Sequence, residues 1–226
     1  MLNVLFVEAS LELVPRKISH HPSVTRNAKR DGKDPREVLL DKSLHHHAML
    51  GLPEAEKRGR PDILHFCLLE ALGSPLNRMG GLRSIAHTLN GDFIEFSSEL
   101  RLPRDAYRFR SLMEQLFSEG RVPPGDEEPL ITLASKKLRE VKEVIHPSKT
   151  VALTSHGRTE KLVDLCRRLK AEENPLIFIG AYPHGAMRQE TLAEADEAVS
   201  IHLEALEAWV VTSRLIYEYE KAIGLE

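Results

Sequence analysis

The segment 175-PLIFIGAYPHG-185 decides the fold, because an apolar run passes directly into a glycine and a polar turn. A short apolar run of this kind predicts a strand that is buried on both faces. The runs 150-TVALT-154 and 197-EAVSI-201 follow the same pattern. Helical stretches separate the three runs, so this part of the chain predicts a parallel α/β sheet with helices on both faces.

The loops after these strands are the first place to expect a ligand. In open α/β sheets, ligands bind beyond the carboxyl ends of the strands. Gly180 directly follows its strand, where a missing side chain would let a ligand lie against the backbone. Neither GxGxxG nor GxxxxGK[ST] occurs, which argues against an ordinary Rossmann or P-loop protein. Taken alone, Gly180 and Gly185 are more simply interpreted as turn glycines.

The part of the chain before residue 130 is less regular. Its start, 1-MLNVLFVEASLELVP-15, alternates in a way that favours an edge strand. The other elements expected there are a polar loop at 16–34, a helix from Asp34-Pro35 through 37–44, a helix at about 46–57, an apolar helix from Pro61 to Gly73, a hairpin of 82–89 and 92–97 around Asn90-Gly91, a helix from Pro103 to about Phe117, and a linker at 121–129. The final helix is expected from about Leu203 onward.

Composition sets broad limits on the class of protein. The chain has 226 residues, of which 42% are hydrophobic and 29% charged, enough to bury a core. No apolar run approaches the roughly 20 residues that a membrane-spanning helix needs. The two cysteines, Cys67 and Cys166, are far apart and form no CxxC pair, which favours a reducing, cytoplasmic location.

Charge is distributed unevenly along the chain. The net charge is −3, yet residues 1–115 carry 17 Lys and Arg against 15 Asp and Glu, and residues 116–226 carry 14 against 19. Nucleic-acid binding depends on cations close to phosphates rather than on the total charge. Any RNA contact is therefore expected from a local patch in the first half.

Four segments together resemble one known family. They are 60-RPDILHFCLLEALGSPLNR-78, 99-ELRLPRDAYRFRSLMEQLF-117, 177-IFIGAYPHG-185 and 197-EAVSIHLEALEAWVV-211. Their order and spacing, which cover roughly residues 60–220, resemble the pseudouridine-N1-specific ribosomal RNA methyltransferases of ribosome biogenesis, a family of the SPOUT class. Each motif alone would be weak.

The resemblance implies a fold and a cofactor. The fold would be a parallel-sheet α/β knot, a trefoil-knotted SPOUT methyltransferase with an inserted α+β extension. Residues 1–226 would form a single domain, with an RNA-binding extension at about 34–125 and a knotted part at 130–226. The knotted loops would bind S-adenosyl-L-methionine through Thr154, Gly180, Gly185, Ile201, His202, Leu203, Glu204, Ala205 and Leu206. Ala205 departs from the family, which often has proline there. The resemblance also implies a homodimer formed through the knot and the last helix.

The same resemblance implies which residues contact the RNA substrate. Arg101, Arg104 and Arg108 match family arginines that contact rRNA, and a helix begun at Pro103 would put the last two on one face. Without the resemblance, a solvated face with an ion pair to Asp105 or Glu99 is the simpler interpretation. Arg60 would contact the substrate and Asp62 would hold it, both as catalytic residues, although an Asp in the first turn is ordinarily only a cap.

The implied function is SAM-dependent N1-methylation of a pseudouridine in small-subunit rRNA. Two alternatives stay open, a non-catalytic rRNA-binding assembly factor and a methyltransferase that acts on tRNA. Ribosomal proteins are possible further partners during assembly, and no membrane is expected.

The histidines are not taken as a site. His45, His46 and His47 point in different directions on a helix, so we expect surface residues and no bound metal. His65 lies on an apolar helix and is expected to be a hydrogen-bonded core residue. Ser155-His156 lacks the GxSxG context of a nucleophile. Trp209 and its helical neighbours Leu206, Val210, Ser213 and Ile216 fit either a core stripe or a dimer interface.

Overall fold

The computed structural model describes residues 1–225, whose strands form one mixed sheet. Within that span the eight strands are β1 (Leu2–Ala9), β2 (Leu82–Thr88), β3 (Asp92–Phe96), β4 (Arg121–Val122), β5 (Ile131–Ser135), β6 (Lys149–Thr159), β7 (Pro175–Gly180) and β8 (Glu197–Ser200). They lie in the order β4-β5-β3-β2-β1-β7-β6-β8. The five strands from β2 to β8 in this order are parallel, whereas β3, β5 and β4 add an antiparallel edge. The predicted parallel α/β sheet is confirmed.

Helices cover both faces of this sheet. The nine α-helices found between residues 1 and 225 are α1 (Pro22–Asp31), α2 (Lys42–Met49), α3 (Pro61–Gly73), α4 (Pro75–Arg78), α5 (Ala106–Glu119), α6 (Leu138–Ile145), α7 (Leu162–Lys170), α8 (Gln189–Leu192) and α9 (Ala208–Ile223). The bounds predicted for α3 are confirmed. None of these helices is both long enough and apolar enough to cross a bilayer.

β1 lies in the middle of the sheet, so the prediction of an edge strand is wrong. All of its residues are buried, and it pairs in parallel with β2 on one side and β7 on the other. The charged residues of this segment do not face solvent either. Glu8 lies 2.5 Å from the Lys57 ammonium, and Glu12 lies 2.7 Å from the Arg58 guanidinium. Both partners come from a distant part of the chain, where a local pattern cannot reveal them.

The polar stretch 16–34 is not a loop, as was predicted, but contains a 3-10 turn at Arg16–Ile18 and then α1. His21 caps α1 by accepting the Ser23 N–H at 3.2 Å. Val24 and Ala28, four residues apart, are both buried. A helix that covers a small core needs only such a narrow apolar stripe, and the polar majority of α1 concealed it.

The helix predicted from Asp34-Pro35 is also wrong. Residues 35–40 form turns and an extended segment in which Val38, Leu39 and Leu40 are all buried. Three consecutive buried side chains suit an extended chain that packs on two sides. The Leu39 N–H donates to the Glu114 carboxylate at 2.9 Å. In the interior of a helix, this N–H would instead donate to a backbone carbonyl of the helix. The helix expected at about 46–57 is α2, which begins earlier because Asp41 caps it, and a 3-10 turn at Ala55–Lys57 follows.

Later boundaries differ less from the predictions. The hairpin around Asn90-Gly91 is confirmed, and Gly91 has the positive φ of +91° that such a turn requires. α5 begins at Ala106 rather than Pro103, because the Asp105 carboxylate accepts the Arg108 N–H at 2.9 Å and caps the helix there. The linker 121–129 includes the short β4. α9 begins at Ala208, so residues 201–207 form a loop instead of the helix start that was expected.

The core has three parts. The largest packs the apolar sides of α3, α5, α7 and α9 against one face of the sheet, and a second packs α6 against the other face. A third, separate cluster joins α1, α2 and the residues around them. We call residues 14–58 the α1–α2 appendage. It packs beside β1 and next to the beginning of α3, which places it close to the carboxyl ends of the central strands.

We predict that Leu64→Ala, in α3, lowers the free energy of unfolding by about 2–5 kcal/mol because it leaves a cavity in the largest core. Leu64 is 0% exposed. Leu50→Ala makes the same chemical change at a side chain that is 68% exposed and should cost no more than about 0.5 kcal/mol. Urea unfolding followed by circular dichroism measures both. Equal losses in the two variants would contradict the packing of α3.

Candidate active site

A cavity of about 330 Å³ lies where the chain leaves β6, β7 and β8. Eight of the nine residues predicted to bind a cofactor line it, namely Thr154, Gly180, Gly185, Ile201, His202, Glu204, Ala205 and Leu206. Leu203 does not, and its side chain is 91% exposed. The three strand ends singled out in the sequence therefore form one pocket.

The way in which β6 passes β8 brings these loops together. Val199 of β8 pairs with Leu153 and again with Arg158, so the residues between these two positions of β6 form a loop beside β8. The connecting loop, 154–157, crosses β8 closely. A Cβ atom on Gly157 would lie 2.5 Å from the Val199 nitrogen, a distance that real Cβ atoms do not reach. Nothing in the local sequence pattern singles out Gly157 as a crossing point.

Gly180 lines the cavity and also makes room for a neighbouring ring. A Cβ atom at Gly180 would lie 2.7 Å from Cε1 of the Tyr182 ring. The missing side chain therefore allows the Tyr182 ring to pack against the end of β7. Gly185 has a φ of +96°, which side chains disfavour, so it is required for the turn that forms this wall of the cavity.

The third loop, 201–206, is folded by its own side chains. The Ser200 hydroxyl donates to the His202 carbonyl at 2.7 Å, and the Glu204 N–H donates to the His202 ring at 3.1 Å. These bonds hold the backbone in tight turns along the cavity. Opposite them, the apolar side chains of Ile63, Leu153 and Ile179 line the wall. A flat apolar wall facing turns of backbone is suited to a ligand with a planar heterocycle and polar edges.

Arg60 and Asp62 form a fork at the beginning of α3. The Arg60 Nε and Nη2 atoms donate to the Asp62 carboxylate, each at 2.8 Å, and Nε contacts its second oxygen at 3.1 Å. The Arg60 N–H donates to Ser10 Oγ at 2.8 Å, which fixes its backbone. Asp62 caps no backbone amide of the helix, so the ordinary capping interpretation does not hold.

The fork directly precedes a residue of the cavity wall. Arg60 and Asp62 do not themselves line the cavity, but Ile63, the next residue in α3, does. The hydrogen bonds that Arg60 donates to Asp62 raise the pKa of Arg60, and the nearby carboxylates of Glu207 and Asp41 act in the same direction. Glu207 itself lines the cavity. Both side chains of the fork are a little over one third exposed. Arg60 is therefore a permanently charged group that a large ligand can reach from solvent.

Arg101, Arg104 and Arg108 are all exposed. Across residues 1–225, none of the three forms an ion pair, so the simpler interpretation with Asp105 or Glu99 is not supported. The expected shared helix face is wrong in one respect. Arg104 precedes α5, and only Arg108 lies in it. The three still form a run of free cations along one loop and the following turn.

His65 connects this loop to the fork. Its Nε2 donates to the Pro103 carbonyl at 2.7 Å, and its ring stacks on Phe109 with centroids 4.1 Å apart. Burial lowers the pKa of His65, so the ring is neutral at pH 7 with its proton on Nε2. The prediction of a hydrogen-bonded core histidine is confirmed. Its position also links α3 to the arginine loop, a contact between distant segments that the sequence did not show.

One histidine was wrongly placed on the surface. His46 and His47 are exposed as expected, whereas His45 is fully buried and accepts the Asp41 N–H at 3.1 Å. Burial lowers the pKa of His45 to about 4. His45 faces the small core of the appendage because α2 begins four residues earlier than its predicted start. In the part of the chain that the structure describes, no three His, Cys, Asp or Glu side chains form a metal-binding group.

Comparison with known proteins identifies the family. A family model described as EMG1/NEP1 methyltransferase matches residues 4–220. The chain is 42% identical to the ribosomal RNA small subunit methyltransferase Nep1 of Staphylothermus marinus, with 95% of this chain and 93% of the relative covered. It is 40% identical to the protein of the same name from Thermococcus kodakarensis, with both chains covered completely.

A solved structure is similar over almost the whole chain. The crystal structure of Archaeoglobus fulgidus Nep1 bound to S-adenosylhomocysteine has a TM-score of 0.87 and 41% identity, and 98% of each chain is covered. The resemblance inferred from the four sequence segments is confirmed. The chain belongs to the EMG1/NEP1 methyltransferase family.

Proposed function

We propose that this protein transfers a methyl group from S-adenosyl-L-methionine to N1 of a pseudouridine in small-subunit ribosomal RNA. The observation that carries the proposal is the Arg60–Asp62 fork next to Ile63, which lines a cavity built from three strand ends. Relatives named as small-subunit rRNA methyltransferases and a similar protein bound to S-adenosylhomocysteine support it.

The cavity fits the cofactor. Its volume of about 330 Å³ lies at the lower end of the range usual for small-molecule sites. The turns at 180–185 and 201–206 would hold the adenosine through backbone groups, and the apolar wall around Ile63 would pack against its ring. The nearby carboxylates of Glu204 and Glu207 would favour a cationic ligand. When bound, the cofactor supplies an activated methyl on a sulfonium, so the protein mainly has to align the acceptor nitrogen.

The fork gives Arg60 a direct role and Asp62 a positioning role. N1–H of pseudouridine would lose its proton to solvent water as N1 takes the methyl group, and negative charge would develop on the ring carbonyls. A guanidinium held in place beside those carbonyls stabilises that charge. Both carboxylate oxygens of Asp62 accept hydrogen bonds from Arg60, so they are committed to orienting it. The target base has to leave its stack to reach the cavity.

The arginine loop would hold the RNA. Arg101, Arg104 and Arg108 are free to form forked contacts with phosphates, and His65 keeps their loop next to α3. In this proposal, residues of about 34–125 act as the RNA-binding extension, and 130–226 form the cofactor-binding part of a single domain. Ribosomal proteins could approach the same surface during assembly.

We further propose that the cofactor-binding part is a trefoil knot and that two copies form a homodimer. The close crossing of β8 by the loop 154–157 of β6 supports the knot. A partly exposed aromatic face supports the dimer. Phe66 is 45% exposed, meets the Trp209 ring at 5.3 Å, and Tyr217 on the same helix as Trp209 is 58% exposed. Ile216 of the same stripe belongs to the core.

The cytoplasm is the proposed location of the reaction. Cys67 and Cys166 are buried free thiols, which suits a reducing compartment.

We predict that methyl transfer requires pseudouridine. Two short rRNA hairpins that differ only in uridine or pseudouridine at the target position are incubated with labelled S-adenosyl-L-methionine, and transfer should occur to the pseudouridine hairpin alone. A tRNA added as competitor should leave the rate unchanged. Tight hairpin binding without transfer would instead favour the assembly factor, and suppression by tRNA would favour a tRNA enzyme.

We predict that Arg104→Ala with Arg108→Ala weakens RNA binding without affecting the cofactor. Loss of two phosphate contacts should flatten the slope of log affinity against log salt by about 1.5. S-adenosylhomocysteine affinity should stay within about twofold. The control is Arg139→Ala with Arg167→Ala, which removes two exposed arginines from the acidic half. If the control lowers RNA affinity as much, the arginine loop is not the RNA surface.

We predict that Asp62→Asn lowers kcat by about 100-fold, because Arg60 loses the carboxylate that aligns it. Cofactor affinity and thermal stability should change little, since the fork is partly exposed. Single-turnover transfer at several pH values measures the effect, and Asp164→Asn, which also faces an arginine, is the control. A kcat equal to that of the wild type would show that Asp62 does not position Arg60.

A further inference from the structure

A buried cation from the α1–α2 appendage contacts the loop 182–188, which we call the cofactor loop. Lys57 is 5% exposed, and its Nζ donates to the Glu8 carboxylate at 2.5 Å and to the Ala186 carbonyl at 2.7 Å. The same ammonium lies 4.5 Å from the centre of the Tyr182 ring. One side chain therefore holds the cofactor loop at two points and joins it to β1.

Glu8 and Arg188 hold the far end of the cofactor loop. The second carboxylate oxygen of Glu8 accepts the Arg188 N–H at 2.7 Å. The Arg188 guanidinium donates to both oxygens of Glu54, which lies next to the 3-10 turn that carries Lys57. Glu8 has a φ of +52°, an unfavourable conformation for a residue with a side chain. The strained backbone of Glu8 thus coincides with a carboxylate that binds Lys57 through one oxygen and the Arg188 N–H through the other.

These contacts reach the cavity directly. Tyr182, Gly185 and Ala186 all line it. The Tyr182 ring is packed between Gly180 and the Lys57 ammonium, and a Cβ atom on Gly185 would lie 3.5 Å from Lys57 Cε. Displacement of Lys57 would therefore change the wall against which a ligand binds.

The contacts of Lys57 are better explained by a role in positioning the cofactor loop than by a role in stabilising the fold. Burying an ion pair costs desolvation, and apolar side chains of similar size often stabilise a core as well. An apolar residue, however, could not donate to the Ala186 carbonyl or attract the face of the Tyr182 ring. We propose that Lys57, paired with Glu8, is a positioning residue that holds the cofactor loop in its binding conformation. This inference rests on the proposed function, because it concerns the affinity of the same site for S-adenosylhomocysteine.

The test compares Lys57→Met with Arg58→Met. Each variant breaks one buried ion pair, Lys57 with Glu8 or Arg58 with Glu12. Unlike the Lys57 ammonium, the Arg58 guanidinium donates only to Glu12 and to the Pro53 carbonyl among the residues that the structure describes, and not to the cofactor loop. Calorimetry of the full chain should show that Lys57→Met weakens S-adenosylhomocysteine binding by about tenfold or more, because the loop is no longer pre-organised. Arg58→Met should stay within about twofold of the wild type. Affinity for the pseudouridine hairpin should not change in either variant.

Lys57→Arg provides the rescue, since it keeps the cation and should keep cofactor affinity within about threefold of the wild type. If Lys57→Met does not fold, Glu8→Gln with Lys57→Met removes both buried charges and should show the same tenfold loss. Unchanged affinity in Lys57→Met or in this double variant, or an equal loss in Arg58→Met, would overturn the positioning role. A wild-type protein that does not bind S-adenosylhomocysteine would instead overturn the proposed function.

Discussion

The close crossing of β8 by the loop 154–157 of β6 is the constraint on which the rest of the structure depends. Val199 pairs with Leu153 and with Arg158, and the loop between them can cross β8 only because Gly157 has no side chain. The crossing places three strand ends side by side, and the cavity lies where they meet. The chain then enters α9, which packs on α3 and α7. Since α3 begins with the Arg60–Asp62 fork, this crossing and the packing of α9 on α3 together relate the cavity to the fork.

The fold could be predicted where local chemistry decides the structure. Pro61 and Gly73 bound α3 as expected, and the Asn90-Gly91 turn forms the hairpin between β2 and β3. Prediction failed where distant residues compensate for local signals. Lys57 and Arg58 neutralise the two glutamates of the first segment and allow β1 to be central, and Glu114 satisfies a backbone amide that keeps residues 35–40 extended. These partners lie 46 to 75 residues away along the chain, so a local sequence pattern cannot include them.

The candidate site, like the fold, combines features that local sequence predicts with features that depend on distant contacts. Glycines after apolar strands marked the cavity correctly, yet the reason for Gly180 lies in the Tyr182 ring, two residues away but folded back onto it. The arginine loop was found from its residues, whereas the contact that holds it, from His65 to the Pro103 carbonyl, joins segments 38 residues apart. Sequence therefore identified which residues carry the chemistry. The groups that keep them in place became visible only when the chain was folded.

The central position of β1 has a consequence for how the protein is made. Asn3 pairs with Arg83 on one edge, but on the other it pairs with Leu176. During synthesis the apolar edge that later meets β7 is exposed until most of the chain has left the ribosome. Contacts of such long sequence separation form slowly, and an unpaired apolar edge invites association with other chains. In a newly made chain, β1 therefore lacks one of its two neighbouring strands until the last quarter of the chain arrives.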